Sequence, residues 1–347
     1  MLSSWIERVQ QETLLEVISD PVLGVDLEGA PIFYNSRFAV VMGERDLKNR
    51  RLWKMFTDSE ILKSFQAALK EGKTNSIRAI PFDQPAGRRF FSVSISPLRK
   101  AKGKIYGAVG IFHDVTDLKR AEQIRIDFVA NVSHELRTPL TAIKGYTDTL
   151  IQDLERGTPP ERGFFEVIAR NTDRLMSLIN DLLDLSSLES TDVLHKTDLS
   201  TSELTMRILK QIQTSIDAKK QNVSITIIAK SVFADPRRAE QVLVNLLDNA
   251  NKYTPNERKI SIFWEPADNG TLLKVVDTGP GIPLEHQARL FERFYRVDKA
   301  RSREIGGTGL GLAIVKHIMQ RHDGEVWVES SPGKGTAFIC RFPIQSR

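Results

Sequence analysis

His134 lies in the segment Val132-Ser133-His134-Glu135-Leu136-Arg137-Thr138-Pro139-Leu140, between two apolar positions that recur at helical spacing. Two residues from each, it projects from the opposite, water-facing side of a helix. An exposed imidazole in its neutral form offers a nitrogen lone pair. That lone pair makes it a possible nucleophile towards phosphorus. Glu135 could accept the proton from the other ring nitrogen. Pro139 lacks a backbone donor and predicts a bend near the histidine. Taken singly, the same histidine reads first as an ordinary surface residue.

Three later segments carry complementary chemistry. Within Asn245-Leu246-Leu247-Asp248-Asn249-Ala250-Asn251-Lys252-Tyr253-Thr254, the residues Asn245, Asn249 and Lys252 share one helical face. Amide oxygens suit a hard cation such as magnesium, and an ammonium group suits phosphate. Asp277-Thr278-Gly279-Pro280-Gly281-Ile282 follows an apolar run beginning at Leu272. A carboxylate at a strand end can accept from an exocyclic amine while glycines admit a flat ring, although a plain Gly-Pro turn has the same composition. Gly306-Gly307-Thr308-Gly309-Leu310-Gly311 opens a helix, so its backbone amides can receive an anion. No Gly-Lys-Ser/Thr follows, which excludes a Walker A loop, and the dinucleotide-binding strand-loop-helix unit is missing.

The elements that must position these groups fall into three textures. Short alternating runs broken by turns fill about Leu14 to Val115, including Phe90 to Pro97 and Ile105 to Phe112 on either side of Lys102-Gly103. They predict an α+β domain with a sheet covered by helices. From Asp117 the pattern turns helical: Val129, Val132, Leu136, Leu140, Ile143, Leu150 and Leu154 form one stripe. Arg156-Gly157-Thr158-Pro159-Pro160 breaks it, and Val167, Ile168, Leu175, Ile179, Leu182, Leu185 and Leu188 form a second. An isolated two-helix hairpin buries neither stripe well, which predicts a homodimer closed as a four-helix bundle. From about Thr201 onwards helices alternate with β-rich runs such as Val223 to Ile228.

Together the segments resemble the sensor histidine kinases of two-component systems, and among them the phosphate-regulon sensor type. His134 to Leu140 resembles the phosphoacceptor box, Asn245 to Tyr253 the asparagine box, and Asp277 to Ile282 the first glycine box. Phe291 to Arg296 resembles the phenylalanine box, Gly307 to Leu312 the second glycine box, and Gly333 to Thr336 the closing glycine motif. The match covers about Asp117 to Pro343, with the boxes in the family's order. It implies ATP and Mg2+ as cofactors, phosphorylation of His134, and a response-regulator receiver domain as the partner that takes the phosphoryl group.

Residue by residue, the resemblance implies that Glu135 assists His134 and that Thr138 serves in dephosphorylating the regulator. It makes Asn249 the magnesium ligand with Asn245 nearby, sends Lys252 to phosphate and sets Tyr253 near adenine. Asp277 would bind the adenine amine, with Gly279, Gly281 and Ile282 shaping that pocket. Gly307, Thr308, Gly309, Leu310, Gly311 and Thr336 complete the nucleotide-binding set. Phe291 to Gly306 would form a mobile lid, and Arg296 would face the transferred phosphoryl group. The N-terminal region is similar to a PAS sensor through its strand pattern, Tyr34-Asn35, and an Asp114-Val115-Thr116 junction.

The resulting plan is a PAS-like sensor over residues 1–116 and a phosphoacceptor hairpin over 117–190. A hinge linker over 191–200 leads to an α/β-sandwich ATP-binding domain over 201–347. The net charge of +5 hints at nucleic acid, but 49 basic and 44 acidic residues are interspersed without a long like-charge run, so the expectation is no nucleic-acid partner. Cys340 is the only cysteine, which excludes an internal disulfide, a cysteine zinc cluster and a flavin–cysteine photoadduct. His113 is the only histidine of the sensor region and reads as structural rather than as a haem ligand, and His317 and His322 diverge around their helix. No apolar run approaches the ~18 residues of a membrane helix, and Met1 to Gln10 lacks a signal-peptide pattern. The expectation is a cytoplasmic protein, either a soluble member or the cytoplasmic portion of a membrane-anchored kinase. Two rivals remain at this point: an ATPase or serine kinase sharing the nucleotide fold, and a non-catalytic PAS scaffold.

Overall fold

The computed structural model describes residues 13, 15–43, 47, 49–84, 87–101, 103–189, 193–298 and 307–344. The chain divides into two compact units, Met1–Asp127 and Phe128–Arg347.

In the first unit a five-stranded antiparallel sheet is built from β1 (Val22–Asp26), β2 (Pro31–Tyr34), β3 (Asn75–Gln84), β4 (Gly87–Arg99) and β5 (Ile105–Asp114), ordered β2-β1-β5-β4-β3. Between β2 and β3 lie α1 (Ser36–Met42), α2 (Leu52–Met55) and α3 (Ser59–Glu71). Period-two alternation sends Phe91, Val93 and Ile95 of β4 inward, where Phe38, Phe56, Phe65 and Phe112 fill the core. Asn35, wholly buried, caps α1 by accepting from the Phe38 amide and ties down β1 by accepting from Val22 N–H at 3.0 Å. At the end of β5, Asp114 Oδ1 accepts from Thr116 N–H at 2.9 Å, and Thr116 Oγ1 accepts from Phe90 N–H at 2.9 Å. The Asp114-Val115-Thr116 junction thereby fastens the start of the next helix to β4 and β5.

That helix, α4 (Thr116–Glu155), runs through Pro139 as one assigned element, and α5 (Arg162–Glu189) follows. The pairs Tyr146 with Phe164 and Glu135 with Arg174 show the two helices antiparallel. Gly157, at φ 73°, turns the chain out of α4, and Thr158 N–H donates to Asp153 O at 2.8 Å. The stripe expected on α5 needs one correction. Ile179 is exposed, whereas Leu178 is buried together with Leu185 and Leu188. These three belong to the core of the C-terminal domain, so that face of α5 is set by a neighbour the hairpin pattern does not contain.

The C-terminal domain stacks helices on a five-stranded sheet. Its elements are β6 (Thr197–Ser200), α6 (Thr201–Ala218), β7 (Asn222–Ile227), β8 (Ser231–Ala234), α7 (Pro236–Tyr253), β9 (Lys259–Ala267) and β10 (Gly270–Asp277). They continue with α8 (Leu284–Gln287), α9 (Gly311–Arg321), β11 (Glu325–Ser331) and β12 (Gly335–Pro343). The main sheet runs β11-β12-β10-β9-β7, antiparallel except for the parallel β7–β9 pair, and β6 pairs with β8. The stretch expected as a hinge over 191–200 is therefore partly built into the domain. Thr197–Ser200 is a strand whose ladder to Ser231–Ala234 satisfies its backbone groups, while 190–192 lie outside the described residues. Among the described residues no helix is long and apolar enough to cross a membrane.

Candidate active site

A cleft of about 570 Å³ opens between α7, the end of β10, the loop before α9, and α5. Asp235 starts α7 by accepting from Arg238 N–H, with Pro236 in its first turn, and Val242, Leu243, Leu246 and Leu247 bury one face. That burial turns Asn245, Asn249 and Lys252 to the cleft, where Tyr253 joins them. Lys252 Nζ lies 2.7 Å from Asp248 Oδ2, one turn back, so its ammonium is aimed along the cleft wall by a carboxylate.

Asp277, 6% exposed, ends β10. Burial raises the pKa of its carboxyl, opposed by donation from the backbone N–H groups of Gly279 and Thr336. Gly279 and Leu310 are not cleft-lining residues. A side chain at Gly279 would begin 2.6 Å from Asp277 Oδ1, so its role is close approach, and Leu310 is wholly buried. Gly281 (φ 73°) and Gly335 (φ 90°) need their backbone freedom doubly: a Cβ would stand 2.0 Å from Ser331 O in the first case and 2.0 Å from Asp277 O in the second. Ile282, Gly307, Thr308, Gly309, Gly311 and Thr336 line the cleft. Of the expected lid, Lys299 to Gly306 lie outside the described residues.

The hairpin supplies groups that no motif announced. Asp181 of α5 lines the cleft beside Ser177, and its Oδ2 accepts from Thr308 Oγ1 at 2.6 Å. Burial raises the Asp181 pKa despite that bond. Asp248, Tyr295 and Asp298 also line the cleft; Asp248 stands one turn before Lys252, a spacing visible in the sequence.

His134 is exposed and is not among the cleft-lining residues. Its neighbour Glu135 is engaged away from the His134 ring. Glu135 Oε2 accepts from Arg174 at 2.9 Å and from Arg296 at 3.1 Å, so two guanidiniums rather than the His134 ring hold the carboxylate. Arg296 also lines the cleft, with 6% of its side chain exposed; burial lowers its pKa, and the Glu135 charge opposes that. One arginine thus reaches from the cleft to the residue beside His134. Phe128 on α4 packs against Phe294 at 5.8 Å between ring centroids, which lays the phenylalanine box on the same helix. Thr138 donates its hydroxyl to His134 O at 3.2 Å, back-bonding one turn below the histidine and next to Pro139.

Comparison with known proteins agrees with this construction. Residues 234–346 match the family described as histidine kinase-, DNA gyrase B-, and HSP90-like ATPase. Residues 124–191 match the His Kinase A (phospho-acceptor) domain and 19–117 the PAS domain. The chain is 36% identical over 258 residues to Sensor protein kinase WalK of Staphylococcus aureus, across 73% of this chain and 62% of that protein. In the JH9 strain's protein of the same name the share covered is 42%, so the chain spans about half the length of such relatives. Among solved structures, histidine kinase ThkA in complex with response regulator protein TrrA is similar at TM-score 0.53 and 25% identity, over 95% of this chain and 97% of that one. Acinetobacter baumannii histidine kinase AdeS is similar at TM-score 0.51 and 29% identity, over 61% of this chain and 98% of that one. With a PAS domain, a phosphoacceptor hairpin and a kinase-type ATPase domain in that order, the chain belongs to the sensor histidine kinases of two-component systems.

Proposed function

We propose that this chain is an ATP-dependent protein-histidine kinase that phosphorylates its own His134 and passes the phosphoryl group to an aspartate of a response-regulator receiver domain. The observation that carries the reading is Arg296, which lines the nucleotide cleft and bonds the residue next to His134. The cleft fits a magnesium nucleotide. Asn245 Oδ1 stands 2.9 Å from where a side chain at Gly311 would begin, so a hard oxygen donor fronts the amide-lined loop suited to phosphate. Asn249, one turn on, would hold the ion, and magnesium when bound would offset phosphate charge. Lys252 would neutralise the phosphate tail, and Asp277 would accept from the adenine amine.

In the transfer, a bond forms between one ring nitrogen of His134 and the γ-phosphorus as the bond to the bridging oxygen breaks. ADP leaves with that electron pair, and the proton on the other ring nitrogen goes to Glu135. Arg296 turning to the transferred group would free Glu135 of one of its two guanidiniums, leaving Arg174 in place, while stabilising the charge. Thr138, one turn below His134, would act in hydrolysing the regulator's phosphoryl group.

The functional unit is proposed to be a homodimer. Val129, Leu140, Ile151 and Leu154 of α4, with Met176 and Leu183 of α5, leave apolar side chains about half or more exposed. A second hairpin would cover them as a four-helix bundle. The test of the activity is incubation with radiolabelled ATP and magnesium. Wild type should acquire acid-labile label and His134→Gln none; label surviving in the variant, or absent from wild type, would sink the proposal.

A further inference from the structure

His322 is the one buried histidine among the described residues, and the chemistry above makes no use of it. It follows the last turn of α9, with none of its surface exposed. Its Nδ1 lies 2.9 Å from Ile318 O, and its Nε2 accepts from Asp235 N–H at 3.0 Å. A carbonyl only accepts and an amide only donates, so both bonds form in one state alone: the neutral ring with its proton on Nδ1. Phe342 of β12 closes the ring edge-on at 5.8 Å.

The residue across that bond starts α7. Asp235 spends one carboxylate oxygen on Arg238 N–H at 3.1 Å and the other on His195 N–H at 3.1 Å, in the segment entering the domain from the hairpin. Lys196 beside it pairs with Asp323 at 3.2 Å, next to His322. At the start of α9, Gly311 abuts Asn245, midway along α7. The helices that bear Asn245, Asn249 and Lys252 on one side and the glycine loop on the other are thus joined at two points, about 15 Å apart at 1.5 Å per residue.

We propose that His322 is a positioning residue for the nucleotide: its neutral ring pins the start of α7 to the end of α9, fixing the spacing of the two cleft walls, and through Asp235 seats the entering segment on the same pin. The inference rests on the proposed nucleotide role of the cleft. It carries a pH dependence. Burial lowers the His322 pKa, the Ile318 carbonyl raises it, Lys196 lowers it, and Asp235 and Asp323 raise it. Protonation would turn Nε2 into a donor facing the Asp235 N–H and break the pin.

The test uses the full chain with His322→Gln, whose amide keeps one donor and one acceptor, and His322→Leu, which keeps bulk alone. Affinity for a non-hydrolysable ATP analogue, melting temperature and exchange of the Asp235 amide are measured from about pH 5 to 8. His322→Leu should weaken nucleotide binding about tenfold at neutral pH and unprotect the Asp235 amide, and His322→Gln should restore both to within about threefold. Wild type should lose affinity as pH falls through the depressed histidine pKa, and His322→Gln should not. If His322→Leu does not fold, the wild-type and His322→Gln pH profiles still decide. Identical acid profiles in those two proteins, or a folded His322→Leu with unchanged affinity and a protected Asp235 amide, would overturn the inference. Failure of wild type to bind the analogue at any pH would instead overturn the proposed function beneath it.

Discussion

The helices α4 and α7 both carry a chemistry-bearing polar face, but they bury their apolar faces in different ways. In α7, Val242, Leu243, Leu246 and Leu247 are sealed against the domain's own sheet and helices, so the asparagines and Lys252 opposite are held by covalently continuous neighbours. In α4, Leu150 is buried while Val129 is 58% exposed, Leu140 52% and Leu154 63%. A binding wall finished within one chain is ready before any partner arrives. The proposed nucleophile, on an unfinished helix, would be positioned by whatever completes that helix, and regulation would act there.

The largest expected effect tests the unfinished side. Leu140→Arg with Leu154→Arg should dissociate the proposed dimer, bringing the mass by light scattering to 39.2 kDa; wild type already at that mass at micromolar concentration would erase the contrast. Next comes the finished side, where Leu246→Ala should cost about 2–5 kcal/mol in a melt that does not depend on protein concentration. A smaller effect joins the two regions at Asp181 and Thr308. The folded pKa of Asp181 is raised above the unfolded value of about 3.9, so as pH rises through that window the unfolded state releases a proton the native state keeps. Stability from this group therefore falls with rising pH; Asp181→Asn should flatten the slope of melting temperature against pH and leave the part due to Asp277. Smallest is Leu140→Ala, which should shift the melt of a diluted, monomeric sample by no more than about 0.5 kcal/mol. A core-sized loss there would mean the face is already covered within the chain.

The contrast also tells what was readable in the sequence. Groups positioned by their own element were legible: Asn245, Asn249 and Lys252 through helical spacing, Asp277 through its place at a strand end, and the glycine loop through the helix it opens. Groups positioned by another element were not. Arg174, Ser177 and Asp181 look like ordinary polar positions on α5; only the packing of α5 against the C-terminal domain gives Ser177 and Asp181 a cleft to line, and only its pairing with α4 gives Arg174 a carboxylate to face. The same cause exchanges Leu178 for Ile179 at the buried face and turns Thr197–Ser200 from expected linker into strand, because the ladder that orders it lies more than thirty residues on. Glu135 is the instructive intermediate. Its adjacency to His134 was plain, but its two arginines come from α5 and from the phenylalanine box.

The crowding at Gly281 and Gly335 limits how this pocket can change over generations. With carbonyl oxygens 2.0 Å from where a first side-chain carbon would sit, neither position can acquire a substituent without rebuilding the backbone around Asp277. Mutation has no raw material on that part of the wall. A descendant favouring a differently shaped ligand would have to recarve the pocket from its replaceable side chains, Ile282, Leu290, Tyr253 and Phe338, around a mould that stays as it is.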